Sequence, residues 1–331
     1  MATTKSPDVA LPVADDPSSA SRLRPASADD LPECAAIWRE SINDYTARLN
    51  QPDIPDDLTA ILRLYRHLQA GDPDGFVVVA EARVGGEERI VAFASSLRRE
   101  GLWFLSMLFV RPEAQGAGLG RALLRRVMPA GGTTALATCT DSVQPISNAL
   151  YASVGIVPRM PLLRLVGLVD HLAELPALPA GIRPVRFDEA AGASSDRLGP
   201  AALDDEVAAL DRGSLGVEHR IDHVFVREEG RTGFLYLGPD GRAVGYGYAS
   251  EAGRVGPVAV ADQDLVTPVL GHLLTTIRPR GAFGIWMPGL GPAMPALLRA
   301  GFRIDGFPVL VCWDRPFAAF DRYVPISPGL L

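Results

Sequence analysis

Leu108-Phe-Val-Arg-Pro-Glu-Ala-Gln115-Gly-Ala-Gly118-Leu-Gly120-Arg-Ala-Leu-Leu124 is the stretch from which the rest of the chain can be read. Leu102 to Val110 is almost wholly apolar, which predicts a strand buried on both faces. Pro112 stops that strand, and three alternate glycines then lead into a helix carrying Leu123, Leu124 and Val127. A helix start offers backbone N–H groups without internal partners, and its dipole adds partial positive charge. Glycines let backbone approach a ligand closely. The stretch therefore predicts an anion cradle of the kind that suits a pyrophosphate.

Working outward, Ser21 to Ala26 reads as a short strand, and Leu31, Cys34, Ala35, Ile37 and Trp38 recur at helical spacing. A second helix follows the acidic break at Asp53 to Asp57, with Leu58, Ile61, Leu62, Leu64 and Leu68 on one face. Phe76 to Ala82 and Ile90 to Ser96 read as strands joined through Gly85-Gly86. Beyond the glycine-rich turn come a strand at Thr134 to Thr140, a helix at Pro145 to Val154 and a closing pair of strands near Gly167. The same pattern returns later. Ile182-Arg-Pro-Val185 echoes Leu23-Arg-Pro-Ala26 at an offset of 159, Val260 stands against Val110 and Leu273-Leu274 against Leu123-Leu124 at 150, and Gly301 against Gly155 at 146. Anchors in the same order suggest duplication of one fold. The expected organisation is a disordered leader over 1–20, a first unit over 21–170, a linker over 171–181 and a second unit over 182–331. Each unit is expected to be α/β (α+β), a mixed, mostly antiparallel sheet flanked by helices.

Composition narrows the function. A chain of 331 residues fits two units of roughly 150 to 165. With 47% hydrophobic and 21% charged residues it buries two cores. A net charge of -7 argues against nucleic acid, which needs a basic face. Lys5 is the only lysine, so Schiff-base enzymes and P-loop NTPases are excluded. Cys34, Cys139 and Cys312 are far apart and odd in number, and read as reduced thiols. His219 and His223 form an i, i+4 pair without an evident third ligand, so no metal is expected. No apolar run approaches the 18 or so residues of a membrane span, and Met1 to Ala20 lacks a signal-peptide pattern, so a cytoplasmic location is expected.

A dinucleotide site is one alternative for the cradle, but it needs GxGxxG after the first strand of a βαβ unit, with an acid about 20 residues on. Here the spacing is GxGxG, and Asp141 lies in the wrong place. A turn that binds nothing is the other alternative. The third reading is a resemblance. Gln115-x-x-Gly118-x-Gly120 after Leu108-x-Val110-x-Pro112 resembles motif A of the GCN5-related N-acetyltransferases, usually Q/R-x-x-G-x-G/A. Asn148-Ala-Leu-Tyr151-Ala-Ser-Val-Gly155 is similar to the family's N-x-x-Y-x-x-x-G-F, with Ile156 in place of phenylalanine. The likeness covers Arg22 to about Gly167 in element order.

The resemblance implies an acetyl-CoA-dependent N-acetyltransferase. It places the coenzyme along Leu108, Phe109 and Val110, whose backbone would pair with the pantetheine arm. It places the pyrophosphate on Gln115, Gly116, Ala117, Gly118, Leu119, Gly120 and Arg121. Asn148 would bond the cofactor arm, and Tyr151 would protonate the leaving thiolate. The base stays open. Phe104 and Ser106 stand where some relatives carry Glu or His, and Glu40, Glu81, Asp141 or a water chain are the alternatives. The acidic loop Asp53 to Asp57 is a further candidate for drawing in a cationic amine. The acceptor is expected to be a small-molecule amine; antibiotic, polyamine, amino-acid derivative and protein amino terminus all remain open. No nucleic acid or membrane is expected, and the chain is read as a monomer or homodimer. A longer acyl donor, such as succinyl-CoA, fits the motif as well as acetyl-CoA does. A non-catalytic acetyl-CoA-binding protein is the rival reading.

Carried through motif A, the offset of 150 sets Leu265, Val266, Pro268 and Leu270 opposite Gln115, Gly116, Gly118 and Gly120, with Asp262 and Asp264 at the helix start. Carboxylates there cap the N–H groups and repel a diphosphate. Leu297 replaces Tyr151 at the offset of 146. The second unit therefore reads as a degenerate copy that packs against the first and shapes its acceptor pocket. The tandem arrangement resembles that of mycothiol-synthase-like proteins, without their specific reaction being implied.

Overall fold

The computed structural model describes residues 21–82, 88–132, 134–190 and 199–331, so the expected leader and the Gly85-Gly86 turn lie outside it. The first half runs β1 (Ser21–Pro25), α1 (Leu31–Ala47), α2 (Thr59–Gly71), β2 (Phe76–Ala82), β3 (Glu88–Arg99) and β4 (Leu102–Val110). It continues with α3 (Leu119–Val127), β5 (Ala135–Asp141), α4 (Pro145–Ala152) and β6 (Val157–Gly167). The second half runs β7 (Arg183–Arg186), α5 (Phe187–Ala190), α6 (Gly199–Ser214), α7 (Arg220–Glu228), β8 (Thr232–Leu237), β9 (Ala243–Ala249) and β10 (Arg254–Val260). It ends with α8 (Val266–Thr276), β11 (Phe283–Pro288), α9 (Met294–Arg299), β12 (Arg303–Ile304), β13 (Val309–Trp313) and β14 (Tyr323–Val324). The element order repeats, as the anchors predicted.

All of these strands join one mixed, mostly antiparallel sheet in the order β1-β2-β3-β4-β5-β13-β6-β11-β10-β9-β8-β7, with β12 and β14 attached to β6 and β10. This order corrects two expectations. The first unit ends in the single strand β6, not a pair. The boundaries 21–170 and 182–331 follow chain order but not the sheet: β6 pairs with β11 of the second half, while β13 of the second half pairs with β5. The two closing strands are exchanged, and they pair with each other at the centre. Both strands have a neighbour on each side, and their patterning does not record whose neighbour that is.

Central strand β4 is buried on both faces. Phe104 packs in the core beneath α1 and α2, and Trp103 and Leu105 pack in the core beneath α3 and α4. The α1–α2 core continues without a break into α6 and α7, whereas α3–α4 and α8–α9 cover separate clusters.

A buried ionic network fastens the halves. Asp222 of α7 lies 2.5 Å from His67 of α2 and 2.5 Å from Arg99 of β3. His219 Nδ1 lies 3.4 Å from the same carboxylate, and His219 Nε2 lies 3.1 Å from Asp211 of α6. Asp211 also bonds His223 at 3.0 Å and accepts from Tyr246. The His219–His223 pair thus acquires a third group of metal-binding type, Asp211, which spacing along the chain did not reveal. The same atoms are hydrogen-bonded to one another. Two carboxylates, Arg99 and a protonated His219 make the cluster self-neutralising.

Burial alone would depress His219, but Asp211 and Asp222 outweigh it and lift its pKa from 6.5 to about 9. Burial would raise Asp222, yet Arg99, His219 and His67 hold it well below 3.8. A raised histidine stabilises fully below its unfolded value and loses that contribution as pH climbs through its folded one. A lowered carboxylate does the reverse, losing its contribution as pH falls below 3.8. The urea midpoint is therefore expected to fall as pH rises from 6.5 through 9. A midpoint that holds or rises over that interval contradicts a charged His219.

Candidate active site

Parallel pairing between β4 and β5 runs only from Leu102↔Ala135 to Leu105↔Thr138. Beyond it β4 follows β3 and β5 follows β13, so the two strands part. The parting begins at a bulge: Ser95 faces Met107 and Ser96 faces Leu105, leaving Ser106 as the extra residue. Arg111 N–H donates to Val91 O at 2.9 Å, so alternation puts Phe109 in a bonded pair with Phe93. The N–H and C=O of Leu108 and Val110 then turn toward the gap. Consistent with this, Val110 O accepts from Ser41 Oγ (3.0 Å) and Gln115 Nε2 (3.1 Å). The side chains of Leu108 and Val110 lie on the α3–α4 face, and those of Met107 and Phe109 on the α1–α2 face.

The glycine loop closes the wide end of the gap. Gly116 (φ 86°) and Gly118 (φ 82°) are left-handed, and a Cβ on either meets nothing within 4 Å, so both face open space. Gly120 is different, because its Cβ would make ordinary contacts with Leu108 and Leu150. The first bond of α3 is Ala122 N–H to Gly118 O, which leaves the N–H groups of Leu119, Gly120 and Arg121 without helical acceptors. Leu119 buries its side chain and offers only backbone. Arg121 lines the cleft, whereas exposed Ala117 does not.

The cleft, about 960 Å³, passes between the parted strands and is lined from both faces of the sheet. Tyr151 lines it from α4, and burial, with Cys312 nearby, pushes its phenol well above the ordinary range. Asn148 does not line the cleft: its Nδ2 donates to Asp141 O (3.0 Å) and Gln144 O (2.8 Å), so both amide hydrogens staple the β5–α4 turn, while its buried Oδ1 has no partner among the described residues.

Among the candidate bases, Glu40 is bonded to Arg111, Glu81 accepts from Ser21, Phe104 is core, and none of the three lines the cleft. Asp56 of the acidic loop pairs with Arg39, and none of Asp53, Asp56 and Asp57 lines it either. Ser106 does, but its hydroxyl donates to Gly329 O. Asp141 is the one acid and Arg121 the one base among the described lining residues. Burial raises the Asp141 carboxyl, and a hydrogen bond from Tyr45 OH partly offsets it. Cys139 also lines the cleft, but burial holds its thiol far above the range of a thiolate nucleophile. Sequence reasoning passed over Tyr45 and Trp286 as site residues; they reach the cleft from distant elements, and no spacing connects them to the glycine motif.

Residues 36–156 match the model of the acetyltransferase (GNAT) family. The first half carries a GNAT domain. No curated protein matches the chain. Among solved structures, a candidate acetyltransferase from Pyrococcus horikoshii is 14% identical with a TM-score of 0.68, over 95% of this chain and 96% of its own. A GCN5-related N-acetyltransferase from Sphaerobacter thermophilus is 18% identical at 0.54, over 91% and 98%. A GCN5-related glucosamine N-acetyltransferase region of a fungal multi-domain β-N-acetylglucosaminidase is 15% identical at 0.56, over 92% of this chain and 39% of that one. At these identities the likeness is one of fold.

The second half repeats the geometry of the GNAT domain and then fills it. Parallel pairing of β10 with β11 covers only Arg254↔Gly284 and Val255↔Ile285, and it stops where β10 meets a bulge-type irregularity between Val255 and Val258, as β4 does at Ser106. Into that gap comes β14. Val258 and Ala259 pair with Val324 and Tyr323, and Val260 N–H donates to Arg322 O. Val258 and Val260 are the counterparts of Leu108 and Val110, so the chain's own backbone occupies the groups that the first half leaves facing its cleft. Asp262, ahead of α8, takes the N–H of Asp264 at 3.0 Å.

Proposed function

We propose that the chain is an acetyl-CoA-dependent N-acetyltransferase with one donor site, in its first half, and a second half that binds no coenzyme. The observation that carries this is the open gap between β4 and β5 with the N–H groups of Gly116 to Arg121 at its mouth, set against the β14-filled gap between β10 and β11.

In this reading Gly116, Gly118 and the first turn of α3 hold the diphosphate through backbone N–H groups and the helix dipole. Leu108 and Val110 align the pantetheine arm as a strand would. When bound, the coenzyme supplies an acetyl thioester, and the amine nitrogen forms a C–N bond to its carbonyl carbon as the C–S bond breaks. Backbone N–H groups at the β4 bulge stabilise the developing oxyanion. Tyr151 holds a proton that stays on its oxygen at neutral pH and gives it to the departing sulfur. The surplus proton on the new amide nitrogen restores the phenol, so one ammonium proton is released to solvent for each turnover.

Calorimetry with coenzyme A is expected to give one site per chain; two equivalent sites would contradict the reading. Tyr151→Phe is expected to lower kcat by about 100-fold, in line with losing a general acid, while coenzyme affinity stays within about twofold. An unchanged kcat would remove Tyr151 from the chemistry.

A further inference from the structure

The parted strands connect two different environments. Leu108, Val110 and Tyr151 belong to the α3–α4 face, where the diphosphate cradle lies. The other side, beneath α1 and α2, is walled by Trp38 and Tyr45 of α1, by Met107 and Phe109 of β4, and by Trp286 of β11. It also receives Val309 of β13 and the turn at Pro328-Gly329, whose carbonyl accepts from Ser106 at the bulge. Both halves therefore build this chamber. Among the described residues that line it, the one acid is Asp141, held by Tyr45 OH.

We infer that this chamber is the acceptor site and that it takes a monoamine with a flat apolar body, seating the ammonium on Asp141 and the body among Trp38, Phe109 and Trp286. The inference rests on the acetyl-transfer reading above. Among its described lining residues the chamber offers one negative charge, in mainly apolar surroundings where the hydroxyls of Ser41, Ser106 and Thr138 are already donated to backbone carbonyls. A polyamine would bring further ammonium groups with no counter-charge, and an aminoglycoside would bring hydroxyls with few partners; both are costly to desolvate. An aromatic body loses only water, and an ammonium group is attracted to aromatic faces as well as to the carboxylate. Asp141 accepts one proton from the ammonium, leaving the nitrogen lone pair free, and its raised pKa narrows the gap between the two groups.

The test uses the full chain with acetyl-CoA and three probes: phenethylamine, spermidine and kanamycin, with thiol release and product mass as readouts. Phenethylamine is expected to be used about 100-fold better in kcat/KM than either other amine. Trp286→Ala is expected to raise its KM about tenfold, with coenzyme A affinity from calorimetry unchanged. Phenethylamine added to the coenzyme complex is expected to change tryptophan fluorescence, and Trp286→Phe to diminish that change. Preference for spermidine or kanamycin overturns the acceptor assignment while leaving acetyl transfer standing. Equal KM values in wild type and Trp286→Ala also overturn it. Coenzyme binding without turnover of any amine overturns the acetyl-transfer reading instead, and the acceptor assignment with it.

Discussion

Gly118→Asp is expected to lower coenzyme A affinity by about 100-fold, while Gly118→Asn loses about tenfold or less. Both residues tolerate the left-handed conformation that Gly118 adopts at φ 82°, so the backbone strain is shared and small. Each places its Cβ in the open space that this glycine faces. Only aspartate adds a charge. A carboxylate about 4 Å from a diphosphate costs roughly 4 kcal/mol per charge pair at an effective dielectric near 20, less where water screens it. About 1.4 kcal/mol corresponds to a factor of ten, so the charge decides the difference between the variants. The pair of titrations separates lost space from lost electrostatics. Equal affinities for wild type and Gly118→Asp, with an intact unfolding transition, would show that no diphosphate sits over residues 116–121.

Asp222→Asn is expected to lower stability by about 3 to 5 kcal/mol in urea unfolding. The side chain keeps its shape, but partly buried Arg99 and fully buried His219 lose the charge that balances them. The attraction across the network has to offset the desolvation of every ion in it, so removing one member leaves the remaining cost exposed. The double variant Arg99→Met with Asp222→Leu is expected to be less damaging than Asp222→Asn, because no orphan charge remains. Asp222→Asn should also flatten the loss of stability between pH 6.5 and 9, since His219 would no longer be held so far above its ordinary value. A change below about 1 kcal/mol would mean that the halves are held by apolar packing and strand exchange alone.

The glycine loop and the strand that leads into it were largely legible in the chain. Gly116 and Gly118 announce themselves because their left-handed conformation favours glycine over most other residues, and the apolar run into Val110 fixes the strand before them. Tyr151 followed from a local motif and does line the cleft. Asn148 was legible only by residue type: such an amide suits both a ligand contact and a turn staple, and the positions of the Asp141 and Gln144 carbonyls show its Nδ2 in the second use while its Oδ1 stays without a partner among the described residues. Asp141 was one of several acids without a distinguishing pattern. Its partner Tyr45 stands 96 positions earlier on α1, and the bond between them exists only because α1 crosses the end of β5.

By itself the sequence determined the elements, their repeated order and the glycine cradle, because these depend on local backbone preference and on periodic burial along a continuous stretch. The tertiary structure alone decided that β6 and β13 change places, that β14 fills the second gap, and that Trp286 and Gly329 wall a chamber belonging to the other half. An apolar strand is satisfied by any neighbour of suitable pattern, and backbone groups facing a gap by any donor or acceptor that fits. Which partner arrives is set by packing across the whole sheet.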